Sequence, residues 1–272
     1  MSKTVDFKKR WQKREDWETP DCSFCGSDKR EHVLIYENVN NTLHNLVECS
    51  GCGLRFYSPR LRFDVLSKNS GNSENARAHA DRYFLNTGFT PVEDRYLRRR
   101  QIKDFYQRTF QRVIDANGLP KSIFEVGGAC GFFLDAVRDM GVEELCGCEL
   151  NKWHVRNAKQ KLGLENMWYG RFQDYHDMRQ YDCGVMLDYI EHSYSPHQDL
   201  KKMSSMIRDG GSILLKTFLE ELDVERTMAA PIGHATHFFG RVLRAMLESV
   251  GFEILDWFEN GIMVTVVGRR IA

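Results

Sequence analysis

Residues Ser122–Gly131 read SIFEVGGACG: a short apolar run, an acidic residue inside it, and then three glycines within five positions. An apolar run that ends abruptly in glycine predicts a buried strand turning into a loop. Gly127, Gly128 and Gly131 let the backbone approach a ligand closely, because no Cβ stands in the way. The helical pattern that follows, Phe132–Met140, would present free N–H groups at its first turn.

Working outward, strand and helix patterns alternate to the end of the chain. Leu145–Leu150 is strand-like and Lys152–Leu162 helical; Asn166–Tyr169 is a short strand, and Cys183–Leu187 a buried one. Leu200–Ile207 is helical, Ser212–Thr217 strand-like and Gly240–Val250 helical. Phe252–Phe258 and Ile262–Val267 are separated by Glu259-Asn260-Gly261, and Asn-Gly between two strand-like runs predicts a hairpin. Alternation predicts an α/β fold with a mostly parallel sheet covered on both faces, into which the hairpin forces one antiparallel strand. Upstream, Arg95–Ile114 has the spacing of an amphipathic helix, ended by Asn117-Gly118-Leu119-Pro120.

Glu149 closes the second strand, twenty-two positions after Gly127, where a carboxylate can accept from two ribose hydroxyls. A dinucleotide fingerprint would need glycine at the first, third and sixth places of its motif; counted from Gly127 these are Gly127, Ala129 and Phe132. Phe132 would obstruct the close helix–strand packing, so the dinucleotide reading fails.

The same residues resemble the first motif of the class I S-adenosylmethionine-dependent methyltransferases: an acidic residue, a hydrophobic one, then Gly-x-Gly-x-Gly. The resemblance runs from Ile123 to the C-terminus. It continues through Tyr181–Thr217, which is similar to that family's fourth strand, Glu-His segment, helix and Gly-Gly turn into strand five. It implies a Rossmann-like seven-stranded sheet whose cofactor lies over the turn, held by Glu125, Gly127, Gly128, Ala129, Gly131, Glu149, Leu150, Phe172, Asp188 and Tyr189. Two departures stand out. Ala129 replaces the middle glycine, which is tolerable if φ stays negative there or if there is room for a methyl. At Gly170-Arg171-Phe172 the family often has Gly-Asp, so adenine contact shifts to the Phe172 backbone or to Asp174.

Near the N-terminus, Cys22-Ser-Phe-Cys25 and Cys49-Ser-Gly-Cys52 form two C-x-x-C knuckles 23 residues apart. Four thiolates so spaced suit tetrahedral Zn²⁺ with no position left for substrate, hence a structural zinc ribbon. Gly26, Gly51 and Gly53 permit the knuckle turns. Arg55, Arg60 and Arg62 lend the segment a basic character compatible with nucleic-acid contact. The segment nonetheless resembles the N-terminal zinc ribbon of bacterial methyltransferases acting on sugars and small metabolites, where it packs beside the active site. Cys130, Cys146, Cys148 and Cys183 read as small buried hydrophobes.

The expected organisation is a polar lead (1–19), the ribbon (20–62), a linker and helical lid (63–118, with Ser67–Ala80 polar throughout) and the methyltransferase domain (119–272). Lys plus Arg equals Asp plus Glu, 38 each, so no global field draws in nucleic acid or anionic lipid. The lack of an apolar run long enough for a bilayer or a secretory signal points to a reducing, cytoplasmic setting without a membrane partner. Methyl transfer to a hydroxyl is helped by a general base, and His192, His234 and His237 are the candidates, with Tyr83 and Tyr194 as pocket residues. An ordinary loop or capping role is the plain alternative for each histidine, and a solvated helix face for Arg98-Arg99-Arg100. The expected acceptor is a small molecule or sugar derivative. The alternatives are an RNA- or protein-directed enzyme that uses the ribbon for recognition, and a cofactor-binding scaffold without catalysis.

Overall fold

The computed structural model describes residues 15–37, 43–65, 96, 98–177, 179–220 and 234–271. Ser67–Ala80 and Tyr83, together with most of the N-terminal lead, lie outside the described residues. The N-terminal part contributes β1 (Trp17–Glu18), β2 (Arg30–Glu37), β3 (Leu43–Cys49), β4 (Arg55–Tyr57) and β5 (Arg60–Leu61). Helix α1 (Arg99–Asn117) leads into β6 (Ser122–Val126), α2 (Phe132–Arg138), β7 (Glu144–Glu149), α3 (Lys152–Leu162) and β8 (Met167–Tyr169). There follow β9 (Tyr181–Leu187), α4 (Pro196–Met206), β10 (Ile207–Phe218), β11 (Thr236–His237), α5 (Gly240–Ser249), β12 (Phe252–Asn260) and β13 (Met263–Arg270).

The seven-stranded sheet has the order β12-β13-β10-β9-β6-β7-β8. Strands β10, β9, β6, β7 and β8 are parallel, and β13 enters antiparallel between β10 and β12. The hairpin predicted at Asn260-Gly261 is present, with Gly261 at φ +60°. It pairs β13 antiparallel with β12, because a strand can return only antiparallel across so short a turn, and β13 in turn lies against β10.

Strand β6 is buried along its whole length. Its side chains alternate between two cores, as the two-residue period requires. Ile123 faces α1, α2 and α3 with Phe110, Phe133, Leu134 and Val155. Phe124 and Val126 face the other side, among Met203 of α4, Leu247 of α5 and Phe252. Cys22, Val47, Cys49, Leu54 and Phe56 of the ribbon belong to this second core. The ribbon therefore does not stand apart. Strand β4 pairs antiparallel with β11, matching Phe56 to Thr236 and Arg55 to His237, so the ribbon sheet runs β11-β4-β3-β2.

Helix α1 begins at Arg99 and ends at Asn117, three residues past the apolar pattern, with Gly118 (φ +83°) as its cap. Its Arg99 grips the buried Asp135 of α2 through two hydrogen bonds of 2.7 and 2.6 Å, so this member of the arginine run, itself exposed, clamps α1 to α2. No helix among the described residues is long and apolar enough to cross a membrane.

Gly131 starts α2 at φ +78°, and a Cβ there would lie 2.3 Å from Leu164 Cδ1 and 3.3 Å from Ala158 Cβ. Left-handed backbone strain of about 1–2 kcal/mol adds to overpacking of about 1–3 kcal/mol. Gly131→Ala is expected to lower stability by roughly 2–5 kcal/mol in urea unfolding. Gly163→Ala, in the same left-handed region (φ +64°) with nothing within 4 Å of the added Cβ, should lose only about 1–2 kcal/mol.

Candidate functional site

The carboxyl ends of β6, β7 and β9 meet at the glycine turn. Gly127 has φ +70°, and a Cβ on it would fall 3.1 Å from the Tyr189 ring; a Cβ on Gly128 would fall 2.8 Å from Glu125 Oε2. Ala129 has φ +45°. The condition of a negative φ is thus not met; the alanine occupies the left-handed region and the methyl is accommodated. The Ala129 N–H donates to Glu149 Oε2 at 3.0 Å, and the Asn151 N–H donates to Oε1 at 2.7 Å. These two bonds aim the Glu149 carboxylate across the turn and leave lone pairs for further donors. Leu150 follows directly, half-buried, and Asn151 caps α3 through its side-chain oxygen.

Glu125 is buried beneath the turn, and its Oε2 has no hydrogen-bond partner among the described residues. Burial, reinforced by the nearby Glu149 charge, pushes its carboxyl up to about 8. An orphaned acid under a backbone cradle that a Cβ would fill suits a cationic amino-acid moiety, as S-adenosylmethionine carries.

At the end of β9, Asp188 adopts φ +52° and pairs with Lys216 at 3.0 Å. The Tyr189 hydroxyl donates to Asp199 at 2.9 Å, and its ring meets buried Phe172 edge-on at 6.5 Å. Asp199 also accepts from Ser193 (2.5 Å) and Gln173 (2.8 Å), tying the β8–β9 and β9–α4 loops into one wall. Arg171 lies over the Phe63 ring at 4.5 Å and 3.8 Å from Asp174, so the acid offered for adenine is shared with a guanidinium.

The four ribbon cysteines converge. Cys22 and Cys52 Sγ are 3.5 Å apart and Cys25 and Cys49 Sγ 3.4 Å, and all four lie within 4.8 Å of one another. Sulfurs about 2.3 Å from a common ion are roughly 3.8 Å apart in a tetrahedron, so the set could hold Zn²⁺ with little movement. Burial pushes the Cys22 thiol up to about 11, and a cation is what would make thiolates of this group. Gly26 (φ +74°) and Gly53 (φ +78°) form the knuckle turns, and a Cβ on Gly51 would sit 3.2 Å from Cys25 Sγ. Cys130, Cys146, Cys148 and Cys183 are all buried in the sheet region.

His192, His234 and His237 are gathered beside the β9 and β10 ends. The rings of His192 and His234 are 4.9 Å apart, and those of His234 and His237 are 6.2 Å apart. Burial, then the neighbouring His192 and His237, lower the His234 imidazole to about 3, so it is neutral near pH 7. His237 Nδ1 lies 2.5 Å from Glu220 Oε1. A carboxylate only accepts, so Nδ1 carries the proton in this contact; Nε2 is buried without a partner among the described residues.

Two of the ribbon arginines, Arg55 and Arg60, are spent inside the molecule, whereas Arg62 pairs at the surface. Arg55 donates to Glu48 at 2.8 Å and to Glu220 at 3.1 Å. Arg60 donates to Glu18 (2.7 Å) and the Tyr194 carbonyl (3.1 Å) and covers the Tyr194 ring at 4.0 Å. Arg62 pairs with Asp64 at 2.7 Å. Tyr194 donates to the Leu61 carbonyl at 2.8 Å, which makes it a joint between ribbon and loop. Glu220, Asp199 and Glu191 escaped sequence reasoning. Glu191 was visible only as part of a Glu-His pair, and the other two carried no spacing signal at all.

The methyltransferase domain family model matches residues 95–256. No curated protein matches the chain. Among solved structures it is similar to a methyltransferase of Haloferax volcanii in complex with the Trm112 activator: 15% identity, TM-score 0.53, covering 64% of this chain and 94% of that one. It is similar also to an S-adenosylmethionine-dependent methyltransferase of Thermotoga maritima: 17% identity, TM-score 0.51, covering 71% and 99%. A third is DesVI of Streptomyces venezuelae: 13% identity, TM-score 0.51, covering 66% and 97%. At these identities the structures share the fold.

Proposed function

The chain belongs to the S-adenosylmethionine-dependent methyltransferases, and from that premise we propose that it methylates a hydroxyl of a small molecule or sugar derivative. The observation that carries this reading is the enclosure of the histidine side by the ribbon. His234 and His237 are 4% and 6% exposed, and Arg55 and Arg60, which could have followed a nucleic-acid backbone, are engaged within the chain. A site so closed favours a small acceptor over a folded macromolecule.

The bound cofactor supplies an already activated methyl group. What remains for the protein is to place the acceptor in line and to take its proton. Glu125, the glycine turn and Glu149 are proposed to seat the cofactor, with Tyr189 and Phe172 as the wall beside it. His237 is proposed as the base: Glu220 fixes its tautomer, and Arg55 of the ribbon holds Glu220. Such an oriented imidazole contributes on the order of 10²–10⁴ in rate. His237→Gln is therefore expected to lower kcat by about 10²–10³ while the cofactor Kd stays within a fewfold.

The class of acceptor is tested by offering radiolabelled cofactor with three sets of substrates: sugar nucleotides and small polyols, total RNA, and unmodified protein. Label in the small-molecule fraction supports the reading. Label transferred only to RNA or protein would overturn it.

A further inference from the structure

Glu191, His192 and His234 form a second group of ligating side chains, separate from the cysteines and not needed for the dyad of His237 and Glu220. One ligand atom of each lies within 4.8 Å of the other two. The Glu191 carboxylate is 1% exposed. Its Oε2 accepts from the Thr217 hydroxyl at 2.8 Å, while Oε1 is buried and has no hydrogen-bond partner among the described residues. A buried acceptor left in this state costs free energy unless something positive meets it.

The backbone holds the three residues in place. The Ala235 N–H donates to the Glu191 carbonyl at 2.8 Å, and the Thr236 hydroxyl donates to the Ser193 carbonyl at 3.0 Å. These bonds lock the segment carrying His234 against the turn Ile190–His192 that carries the other two residues. The His192 and His234 rings stand nearly perpendicular, at 79°, as two imidazoles converging on one point can. Phe218 packs against His234, with ring centroids 5.0 Å apart. Thr217 orients Glu191 as an outer-shell partner orients a ligating carboxylate.

We infer that Glu191, His192 and His234 bind a divalent transition-metal ion, with positions left open on the acceptor side. Two imidazoles and one carboxylate suit Zn²⁺, Co²⁺ or Mn²⁺, whereas Mg²⁺ and Ca²⁺ prefer all-oxygen sites. Ligand atoms about 2.0–2.2 Å from one ion are roughly 3–3.5 Å apart, which small side-chain rotations from the observed spacing would reach. Resting on the acceptor reading above, the role of the ion is to bind the acceptor oxygen and lower the pKa of its proton, which His237 then takes.

Binding itself is tested without any acceptor. The full chain, its cysteine site first filled with one equivalent of Zn²⁺, is titrated with Co²⁺ and followed by absorption and elemental analysis. The expected result is one further equivalent, with the visible bands of nitrogen and oxygen ligation and no thiolate charge-transfer band. His234→Ala and Glu191→Gln should each abolish that equivalent and keep the Zn²⁺. A wild-type protein that takes up no second equivalent overturns the inference, and needs no variant to fold. So does a second equivalent that survives His192→Ala with His234→Ala. The acceptor screen can fail while Co²⁺ binds, or succeed while it does not, so the two readings are separable.

Discussion

Glu149→Ala is expected to raise the Kd for S-adenosylhomocysteine by about 100-fold or more, read by calorimetry. A hydrogen bond to a charged group contributes about 1.5–3 kcal/mol, and two to a ribose therefore about 3–6 kcal/mol. At 1.4 kcal/mol per tenfold that is a factor of about 10²–10⁴. The structure gives a reason to expect more than the loss of those contacts. Glu149 also accepts from the Ala129 and Asn151 N–H groups, so alanine removes the tether between the glycine turn and the start of α3. Ala129 already sits at φ +45° without the freedom of glycine, and depends on that tether. Glu149→Gln keeps one acceptor oxygen and should weaken binding by only about tenfold. If the alanine variant bound the product with unchanged affinity, Glu149 would not be a cofactor residue.

Loss of the ribbon metal is expected to stop methyl transfer while leaving cofactor binding within about tenfold. Structural Zn²⁺ contributes on the order of 10–16 kcal/mol of apparent folding energy, as much as the whole stability of a typical domain. Cys49→Ser, or chelation of the wild type, should therefore unfold the ribbon locally. The consequence travels by covalent and hydrogen-bonded steps: β4 begins three residues after Cys52, pairs with β11, and carries Arg55 to Glu220 and so to His237. The glycine turn follows β6 and Glu149 ends β7, away from this route. Apolar surface of the core shared with α5 would be exposed, so the melting temperature should fall as well. A ribbon-depleted protein that transfers methyl at the normal rate would show that the ribbon is not coupled to the site.

Much of this protein is legible in order along the chain. The turn after β6, the alternation through β10, the Asn260-Gly261 hairpin and the two cysteine knuckles are all short-range signals. Each depends on residues within about a dozen positions, where side-chain period and glycine chemistry act directly. The glycine turn, Glu149 and the four cysteines were therefore accessible as candidates. Of the histidines only the residue type and the rough edge of the sheet could be read. Their partners could not: Glu220 lies 17 positions from His237 in sequence, and Arg55 lies 165 from Glu220.

By itself, then, the sequence determined the α/β alternation, the antiparallel hairpin and the clustering of four thiols, because local periodicity and spacing decide these. The tertiary structure decided the rest. Only folding could seal the ribbon to the sheet through β4 and β11, turn Arg55 from a surface residue into an internal ion pair, and bury Glu191 with one oxygen unmatched among the described residues. Those features depend on desolvation and on contacts between distant segments, and neither has a period that a sequence can display.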